Sequence, residues 1–400
     1  MRSKADVVVV GAGPSGSFSA LTTAKMGAKV VVCEEHKEVG LPSHCPGHIS
    51  IKGLKQLGLR LPAKIIENEI KGAVFYSPFG REFRVKLSSP VTYVINRSMF
   101  DKHLAQLAEK AGATFLLGTR AESLLVEKDF VCGVSLKNGE KLTSRIVIDA
   151  EGCASTLLKQ IGLQTFDRSL AVTAVSCEVD KVQDVKDDTV EVYLGQEYAP
   201  GLFAWIIPRR DGSAKVGLAT RIGNAREHLK HFLNKHPIAR QKLRRSTAKN
   251  PSYHLISLGG PIPKTRHNGF LTVGDAASQV KPTTGGGVII GLTCAKIAGE
   301  TACQAMQQHD VSEDFLSRYQ QKCQQVIGFD MTVMRQIRLM LNRLSDAELD
   351  RIISLCSQWH LEEMLRQVSD IDFQGKALVP LLKSPATLAV TLYSILASLT

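Results

Sequence analysis

The first strongly apolar stretch of the chain is a run of four valines at residues 7–10. A segment that is apolar at every position predicts a short strand buried on both faces, as in a parallel sheet. Residues 15–27 follow with apolar positions at helical spacing, and residues 29–33 form a second apolar run. This order predicts a βαβ unit of about thirty residues.

Alternating apolar and polar positions indicate half-buried strands in two later regions. Residues 71–85 contain two such stretches around a Pro/Gly turn, and residues 203–220 contain two around Asp211-Gly212, a hairpin signal. We expect a helix over residues 98–111 and strands near residues 113–149. The chain therefore leaves the parallel sheet and builds a second sheet elsewhere.

The pattern then returns to a buried strand followed by a helix. Residues 268–300 give an apolar strand ending at Gly274-Asp275, a loop, and a glycine-rich entry into a helix. From about residue 311 the pattern is helical to the end. The first and last of these segments predict one sheet that is built from distant parts of the chain.

The last seventeen residues, 384–400, contain no charge and are at the lower limit of length for a membrane span. Thr and Ser residues occupy one side of this segment, and aliphatic residues occupy the other: Leu388, Leu392, Ile395, Leu396 and Leu399. This pattern favours a helix that packs on the protein or lies on a membrane surface over a helix that spans one.

The composition of the 400 residues is that of a folded protein, with 44% hydrophobic and 22% charged residues. The formal net charge is +12, but Lys and Arg are scattered and residues 242–250 form the only dense basic run. No nucleic-acid-binding module is recognisable, so we expect no nucleic-acid partner and read most of the charge as solvated surface.

The cysteines and the first residues bear on metal binding and location. The nine cysteines show neither a CxxC pair nor zinc-ligand spacing, so we expect no metal site. A Cys303–Cys323 bridge is left open, because sequence alone cannot establish proximity. The polar start leads directly into a strand, which leaves no room for a signal peptide, so we expect a cytoplasmic protein.

A glycine motif links the first strand to the first helix. Gly11, Gly13 and Gly16 form GxGxxG, with Ser15 inside it, directly after a strand and directly before a helix. In that context the glycines permit a tight turn, close approach of a pyrophosphate, and close packing of helix on strand. Glu34 ends the second strand, where a carboxylate can accept hydrogen bonds from ribose hydroxyls. The motif predicts a dinucleotide, and by itself it does not separate NAD from FAD.

Two later motifs favour FAD. Residues 146–162 contain Glu151, Gly152 and Ser155 after a strand, and Gly274-Asp275 precede "KPTTGGGVIIG". With the first motif, they resemble the three separated motifs of the para-hydroxybenzoate hydroxylase-like class of FAD proteins, except that Glu151 replaces an Asp. The strand-end Asp275 can accept a hydrogen bond from a ribityl hydroxyl, and the N–H groups of Gly286, Gly287 and Val288 can approach the flavin.

Within that class the chain resembles the geranylgeranyl reductase family, including the archaeal digeranylgeranylglycerophospholipid reductases, over nearly its whole length. The resemblance is carried by "LPSHCPGHIS" at residues 41–50 and by "FAWIIPRRDGSAKVGLA" at residues 203–219. Pro46, His48 and Ala219 depart from the family pattern.

The resemblance implies an α/β fold: a Rossmann-type FAD-binding domain interwoven with an antiparallel-sheet substrate domain, plus a C-terminal helical extension. The expected FAD-binding domain is discontinuous, over residues 1–70, 97–165 and 265–305. The substrate domain takes residues 71–96 and 166–264, and the helical extension takes residues 306–400. The resemblance also implies cofactor contacts from Cys45, Pro46, Gly47, His48, Arg97 and Ala121. A salt bridge is the alternative role for Arg97.

The expected reaction is the saturation of isoprenoid C=C bonds in geranylgeranyl lipids by hydride transfer and protonation. Such chemistry needs an apolar tunnel with an acid near its end. Phe203, Trp205 and Ile207 are candidates for the tunnel wall. Together with Ile206 they make four apolar residues, of which we expect at least two to fill the core. Histidine chemistry favours His44 or His48 as proton donor, whereas the resemblance points to Cys45 beside the flavin.

The sequence contains no second GxGxxG motif, so we expect a transient electron donor: NAD(P)H, a deazaflavin or ferredoxin. Two alternative functions stay open. One is a flavin-dependent monooxygenase or halogenase of the same superfamily, because residues 203–208 also resemble a halogenase motif. The other is a catalytically inactive FAD-containing protein that binds lipids or a membrane surface.

Overall fold

The computed structural model describes residues 3–366, 370–379 and 385–398. Its strands are β1 Ser3–Lys4, β2 Val7–Val10, β3 Val30–Cys33, β4 His48–Ser50, β5 Ile66–Ile70, β6 Gly72–Tyr76, β7 Glu82–Lys86, β8 Thr92–Ile95, β9 Thr114–Leu116, β10 Ala121–Glu127, β11 Phe130–Leu136, β12 Lys141–Thr143, β13 Ile146–Asp149, β14 Ala171–Val179, β15 Thr189–Tyr193, β16 Ala204–Pro208, β17 Ala214–Thr220, β18 Ala248–Ser257, β19 Arg266–His267 and β20 Phe270–Thr272.

The helices are α1 Pro14–Lys25, α2 Ile51–Gln56, α3 Arg97–Lys110, α4 Thr156–Gln160, α5 Ala225–Lys235, α6 Ala239–Leu243, α7 Val288–Gln307, α8 Glu313–Cys323, α9 Phe329–Leu341, α10 Asp346–Gln358, α11 Leu361–Leu365, α12 Gln374–Leu378 and α13 Pro385–Ala397. A π-helical turn, Gln324–Gly328, joins α8 to α9.

The predicted βαβ unit forms the centre of a six-stranded sheet, in the order β19-β20-β13-β2-β3-β9. The strands from β20 to β9 run parallel, and β19 is antiparallel to β20. Val7 and Val9 pack in the cluster under α1, α3 and α7, while Val8 and Val10 pack in the cluster on the other face. Burial on both faces explains the unbroken valine run.

The second sheet has seven strands, in the order β18-β14-β17-β16-β15-β6-β7. Neighbouring strands are antiparallel except for β15 and β6. The predicted turn at Asp211-Gly212 joins β16 to β17, and Gly212 has a φ of +76°. Helices α5 and α6 cover one face of this sheet, and an apolar cluster containing Trp205 covers the other.

The C-terminal part is helical, as predicted; α10 and α11 pack against β7, which contains Phe83, and α13 packs on α10. Among the described residues, we find no helix whose length and apolar character together suffice for a bilayer crossing. Cys303 and Cys323 are free thiols, and the Cys303 thiol contacts the Thr23 carbonyl oxygen at 3.7 Å. Their bridge, which the sequence left open, is absent between these two described residues.

Candidate active site

The glycine turn after β2 leaves free space beside the first turn of α1. A Cβ atom on Gly16 would lie 1.9 Å from the Gly11 carbonyl oxygen, and one on Gly11 would lie 2.4 Å from the Ala150 carbonyl oxygen. A Cβ atom on Gly13 would meet no atom within 4 Å. The protein's own packing therefore requires glycine at positions 11 and 16. Gly13 instead borders open space at the start of α1.

Helices α1 and α7 both begin without a side-chain cap, at Gly13 and Gly287. Side-chain oxygens cap α3, α5, α8 and α10, whereas α6, α9, α11 and α12 also lack such a cap among the described residues. The first turns of α1 and α7 adjoin, because Cβ atoms on Gly274 and on Gly291 would each lie 2.6 Å from Ser15 Oγ. Two adjoining helix starts with uncapped N–H groups fit a ligand that carries anionic and carbonyl acceptors, as FAD does.

Glu34 is held at the end of β3, beside the glycine turn. Its Oε2 accepts a hydrogen bond from the Ala12 N–H at 2.8 Å, and its Oε1 accepts one from the His36 N–H at 2.9 Å. The Thr119 N–H donates to the Glu34 carbonyl oxygen at 2.7 Å, which brings the start of β10 at Ala121 close to this position. His36 Nδ1 also lies 2.6 Å from Oε1. Each carboxylate oxygen can accept two hydrogen bonds, so the capacity that remains for a ribose hydroxyl is on Oε2.

Glu151, which replaces the Asp of the middle motif, caps a helix. Its Oε2 accepts from Thr156 Oγ1 at 2.7 Å, and its Oε1 accepts from the Leu157 N–H at 2.9 Å, at the start of α4. The fully buried Asp149 accepts from the Glu151 N–H at 3.0 Å. Burial, followed by the charge of Glu151, raises the pKa of Asp149 to about 8.

The loop from Cys45 to Gly47 packs on the end of β8. Gly47 has a φ of +75°, and a Cβ atom there would lie 2.3 Å from the Ile95 carbonyl oxygen. Cys45 Sγ accepts from the Gly47 N–H at 3.4 Å, and Pro46 between them is half-buried. The position that departs from the family pattern thus lies in a loop whose backbone is fixed by β8.

Arg97 forms a largely enclosed ion pair with Asp101, at 3.1 Å. Burial by itself lowers the pKa of the Arg97 guanidinium, but the nearby Asp101 carboxylate and Cys45 thiol outweigh it and raise that pKa. Arg97 therefore stays charged beside Cys45. The salt bridge, which was the alternative role for Arg97, is present, and its contact with the cofactor stays a prediction.

His48 lies beside Lys281 and Asp372, and the His44 ring stacks on His254. The His48 ring is accessible to water, yet protein surrounds it deeply enough that burial, with repulsion from Lys281, lowers its pKa to about 4 against the opposing charge of Asp372. Burial, followed by the positive charges of His254, His36 and Arg97, lowers the pKa of His44. At neutral pH neither ring stores a proton for release.

The apolar residues of β16 and its start divide between two faces. Trp205 and Ile207 are buried in the cluster that contains Ile70 and Val94, with the half-buried Phe203 beside them. Ile206 is buried on the opposite face. A Cβ atom on Gly217 would lie 2.6 Å from the Trp205 ring, so the indole packs on a glycine, and its N–H has no hydrogen-bond partner among the described residues. The expectation that at least two of the four residues fill the core is confirmed.

Asp275 lies within a cluster that sequence reasoning found only in part. Its Oδ2 lies 3.3 Å from His254 Nε2 and 4.0 Å from Cys153 Sγ, and the His254 ring stacks on His44 with centroids 5.9 Å apart. A Cβ atom on Gly287 would lie 3.1 Å from Asp275 Oδ1. His254 belongs to no recognised sequence motif, and it lies beside Asp275 only because of its position on the edge strand β18.

Two buried cations from outside the predicted set hold the glycine loop before α7. Lys281 pairs with Asp372 at 2.9 Å, and a Cβ atom on Gly286 would lie 2.9 Å from Lys281 Cε. Arg338 of α9 donates to the carbonyl oxygens of Pro282 at 3.1 Å and Gly201 at 3.3 Å, and to that of Thr283. Burial lowers the pKa of Arg338 to about 10. No spacing pattern signals these contacts, because their partners are distant residues or backbone atoms.

Residues 4–330 match the family model described as FAD binding domain. A digeranylgeranylglycerophospholipid reductase of Methanocaldococcus jannaschii is 34% identical over 352 residues, which are 87% of this chain and 89% of that protein. The protein of the same name from Methanosarcina mazei is 30% identical over 394 residues, with 96% of this chain and 93% of that protein covered.

Solved structures with a similar fold include a protein related to geranylgeranyl reductases. A geranylgeranyl bacteriochlorophyll reductase-like protein of Thermoplasma acidophilum superposes with a TM-score of 0.88 and 27% identity, covering 98% of this chain and 100% of its own. A flavin-dependent brominase superposes with a TM-score of 0.70 at 16% identity, covering 99% of this chain and 94% of its own. The brominase therefore shares the fold alone.

Proposed function

The chain belongs to the FAD-binding family and to the digeranylgeranylglycerophospholipid reductases, and from this premise we propose that it is an FAD-dependent reductase of geranylgeranyl chains in ether lipids or their precursors. The main support for this proposal is the 30–34% identity to digeranylgeranylglycerophospholipid reductases, which extends over 86–96% of the chain.

The residues of the two adjoining helix starts would hold the cofactor. Gly11, Gly13, Ser15 and Gly16 would take the pyrophosphate, Glu34 the adenosine ribose, and Asp275 the ribityl chain. Gly286, Gly287 and Val288 would meet the flavin ring, with Arg97 and Ala121 closing the adenylate side. When bound and reduced, FAD supplies a hydride at its flavin ring.

The half-buried Phe203 would contact the isoprenoid chain, and the buried Trp205 and Ile207 would form the wall behind it. Their cluster is apolar and lies on the face of the seven-stranded sheet opposite α5 and α6. An isolated C=C bond has no carbonyl group to polarise it, so the protein has to supply a proton as well as exclude water. These side chains orient the substrate and keep water away but offer no acid.

The test is a single turnover without oxygen. The FAD-loaded protein is reduced with dithionite and mixed with a geranylgeranylated glycerophospholipid or with its saturated counterpart as control. We expect flavin reoxidation and a gain of two daltons per double bond only with the unsaturated lipid. Reoxidation that needs oxygen would instead support a monooxygenase or halogenase, and no reoxidation at all would support an inactive lipid-binding protein.

The electron donor is proposed to dock transiently, because no second GxGxxG motif offers a resident nicotinamide site. The positive net charge of +12 favours an acidic protein such as ferredoxin over a small donor. Reduction rates with NADPH, a reduced deazaflavin and reduced ferredoxin decide among the three. A rate with ferredoxin that does not fall with rising salt would contradict the electrostatic argument.

Helix α13 is proposed to contact the membrane that carries the lipid. Val390 and Ser394 are buried, whereas Leu392, Ile395 and Leu396 are exposed at 54%, 44% and 56%. Leu399 lies outside the described residues, and the side chain of Leu388 is not described. This uncharged face suits the apolar boundary of a bilayer, and the chain's positive charge suits anionic lipids.

Flotation with anionic vesicles tests this contact. We expect wild type to float with the vesicles and the double variant Leu392→Ser/Leu396→Ser to remain in solution. Ile222→Ser, at a position 59% exposed after β17, is the matched control and should float. Flotation of the double variant at the wild-type level would contradict the contact.

A further inference from the structure

The proposed reaction consumes a proton, and His44, His48 and His254 differ in how they could hold one. His44 stacks on His254, and His48 contacts Thr92 Oγ1 at 2.6 Å. His254 differs from both because its Nε2 lies 3.3 Å from a carboxylate oxygen of Asp275. We propose that His254, held against Asp275, carries the proton that each saturated double bond consumes, an inference that rests on the proposed function.

The geometry places this pair at the start of α7. Oδ1 of Asp275 faces the position where a Gly287 Cβ atom would lie, at 3.1 Å, while Oδ2 faces His254. One carboxylate therefore has one oxygen directed toward the uncapped helix start and the other toward the imidazole. The side chains of His254 and Asp275 are about one-third exposed, at 35% and 32%, so the pair is open to solvent.

The other groups that face His254 from its neighbouring elements are unsuited to the task. From β14 it pairs with Ala174, which does not titrate. From the turn after β13, the Cys153 thiol donates to the Leu255 carbonyl oxygen at 3.1 Å, and burial together with Asp275 raises its pKa. From the loop after β3 comes His44, whose pKa is lowered. A carboxylate partner stabilises an imidazolium, and among these groups Asp275 provides the carboxylate.

The atoms and charges balance without a further reactant. One alkene carbon gains a hydride from the two-electron-reduced cofactor, which is thereby oxidised, and the other carbon gains a proton. That proton leaves a ring nitrogen of the His254 imidazolium, which becomes a neutral imidazole. The imidazole regains a proton from water, since the pair is open to solvent.

The experiment compares wild type with His254→Gln as FAD-loaded proteins. Glutamine still donates a hydrogen bond to Asp275 but does not titrate, so it separates proton transfer from positioning. Single-turnover rates are measured from pH 6 to 9 with pre-reduced protein and geranylgeranylated lipid. We expect the wild-type rate to fall as pH rises, and the rate of the variant to be pH-independent and lower by about 10²-fold or more.

A second readout needs no lipid. Proton uptake during anaerobic dithionite reduction is followed with an indicator dye in weak buffer, and wild type should take up more protons per flavin than His254→Gln. His231→Gln is the matched control, because His231 also pairs with a carboxylate, Glu197, at 2.8 Å, but on the surface helix α5. This control should behave as wild type in both measurements.

The outcomes separate this inference from the proposed function. A difference in proton uptake without any lipid reduction would overturn the proposed function and keep His254 as a redox-linked proton site. Lipid reduction with identical pH profiles and identical uptake in wild type and His254→Gln would overturn the inference. Loss of the pH dependence in His44→Gln, with His254→Gln unchanged, would transfer the role to His44 and equally overturn it.

Discussion

Adding a single methyl group at different glycines of the first turn distinguishes a packing role from a cofactor-binding role. We predict that Gly13→Ala keeps the wild-type melting temperature but weakens FAD binding at least about tenfold, because its methyl group enters the free space beside α1. Fluorescence titration of the apoprotein measures the affinity. Undiminished affinity in this variant would show that the pyrophosphate lies elsewhere.

Gly16→Ala makes the same change at a glycine that the protein's own packing requires, so we expect it to affect stability. Its Cβ atom would lie 1.9 Å from the Gly11 carbonyl oxygen, so the backbone itself has to move. We predict a loss of roughly 1–3 kcal/mol in the free energy of unfolding, measured by urea denaturation. An unchanged midpoint would mean that the turn can open without cost.

Glu34 gives a test of the adenosine end. We predict that Glu34→Gln weakens FAD binding roughly tenfold, because hydrogen bonds to a charged acceptor contribute about 1.5 kcal/mol or more. Glu35→Gln removes the neighbouring carboxylate, which pairs with Arg120 at 3.0 Å in an exposed position, and should leave the affinity unchanged. Equal losses in both variants would point to general surface charge instead of a ribose contact.

At the scale of elements, the segments with strong periodicity are the ones the sequence predicts well. The valine run, the hairpin at Asp211-Gly212 and the helix expected over residues 98–111 all appear, the last as α3 at Arg97–Lys110. The local pattern suffices for these elements, because the spacing of apolar residues within each one already shows which face is buried. The role of Glu151 could not be predicted in this way, since a carboxylate after a strand can face a ligand or cap a helix.

Helical periodicity does not reveal the role of Arg338 on α9, which donates to two carbonyl oxygens of the loop before α7, at Pro282 and Thr283, and to that of Gly201 before β16. We predict that Arg338→Met lowers the free energy of unfolding by about 2–3 kcal/mol and weakens FAD binding, since the carbonyl groups lose a charged donor. Thermal unfolding with and without FAD measures both effects. Arg343→Met, at an exposed position beyond the helix, is the control and should change neither.

At the scale of the whole molecule, the site is completed by residues that are far apart in the chain. Asp372 reaches Lys281, and His254 of β18 reaches Asp275, although neither pair has a spacing that a sequence pattern could show. Motifs predict the backbone that cradles a ligand, because glycines are required there locally. The charged and titratable residues around that backbone depend on how the sheets and helices pack, and the sequence therefore predicted Asp275 and missed its partner.

The same long-range packing makes folding depend on pH. His236 is fully buried, its Nδ1 accepts from the N–H groups of Ile238 and Ala239 at 3.3 Å, and burial lowers its pKa to about 4. The unfolded chain, with a histidine pKa of about 6.5, binds this proton more readily than the folded protein does. The contribution of His236 is therefore complete above about pH 6.5 and is lost as pH falls toward 4.

We predict that wild type loses about 3 kcal/mol more free energy of unfolding between pH 7 and pH 4 than His236→Asn does, because a lowering of about 2.5 pKa units corresponds to that amount. Asparagine can still accept a backbone hydrogen bond but does not titrate. Urea denaturation at a series of pH values gives the two profiles. Asp149→Asn is the control of opposite sign, because the pKa of Asp149 is raised to about 8 and its contribution is lost as pH rises. Parallel profiles of wild type and His236→Asn would show that His236 is protonated equally in the folded and unfolded chains.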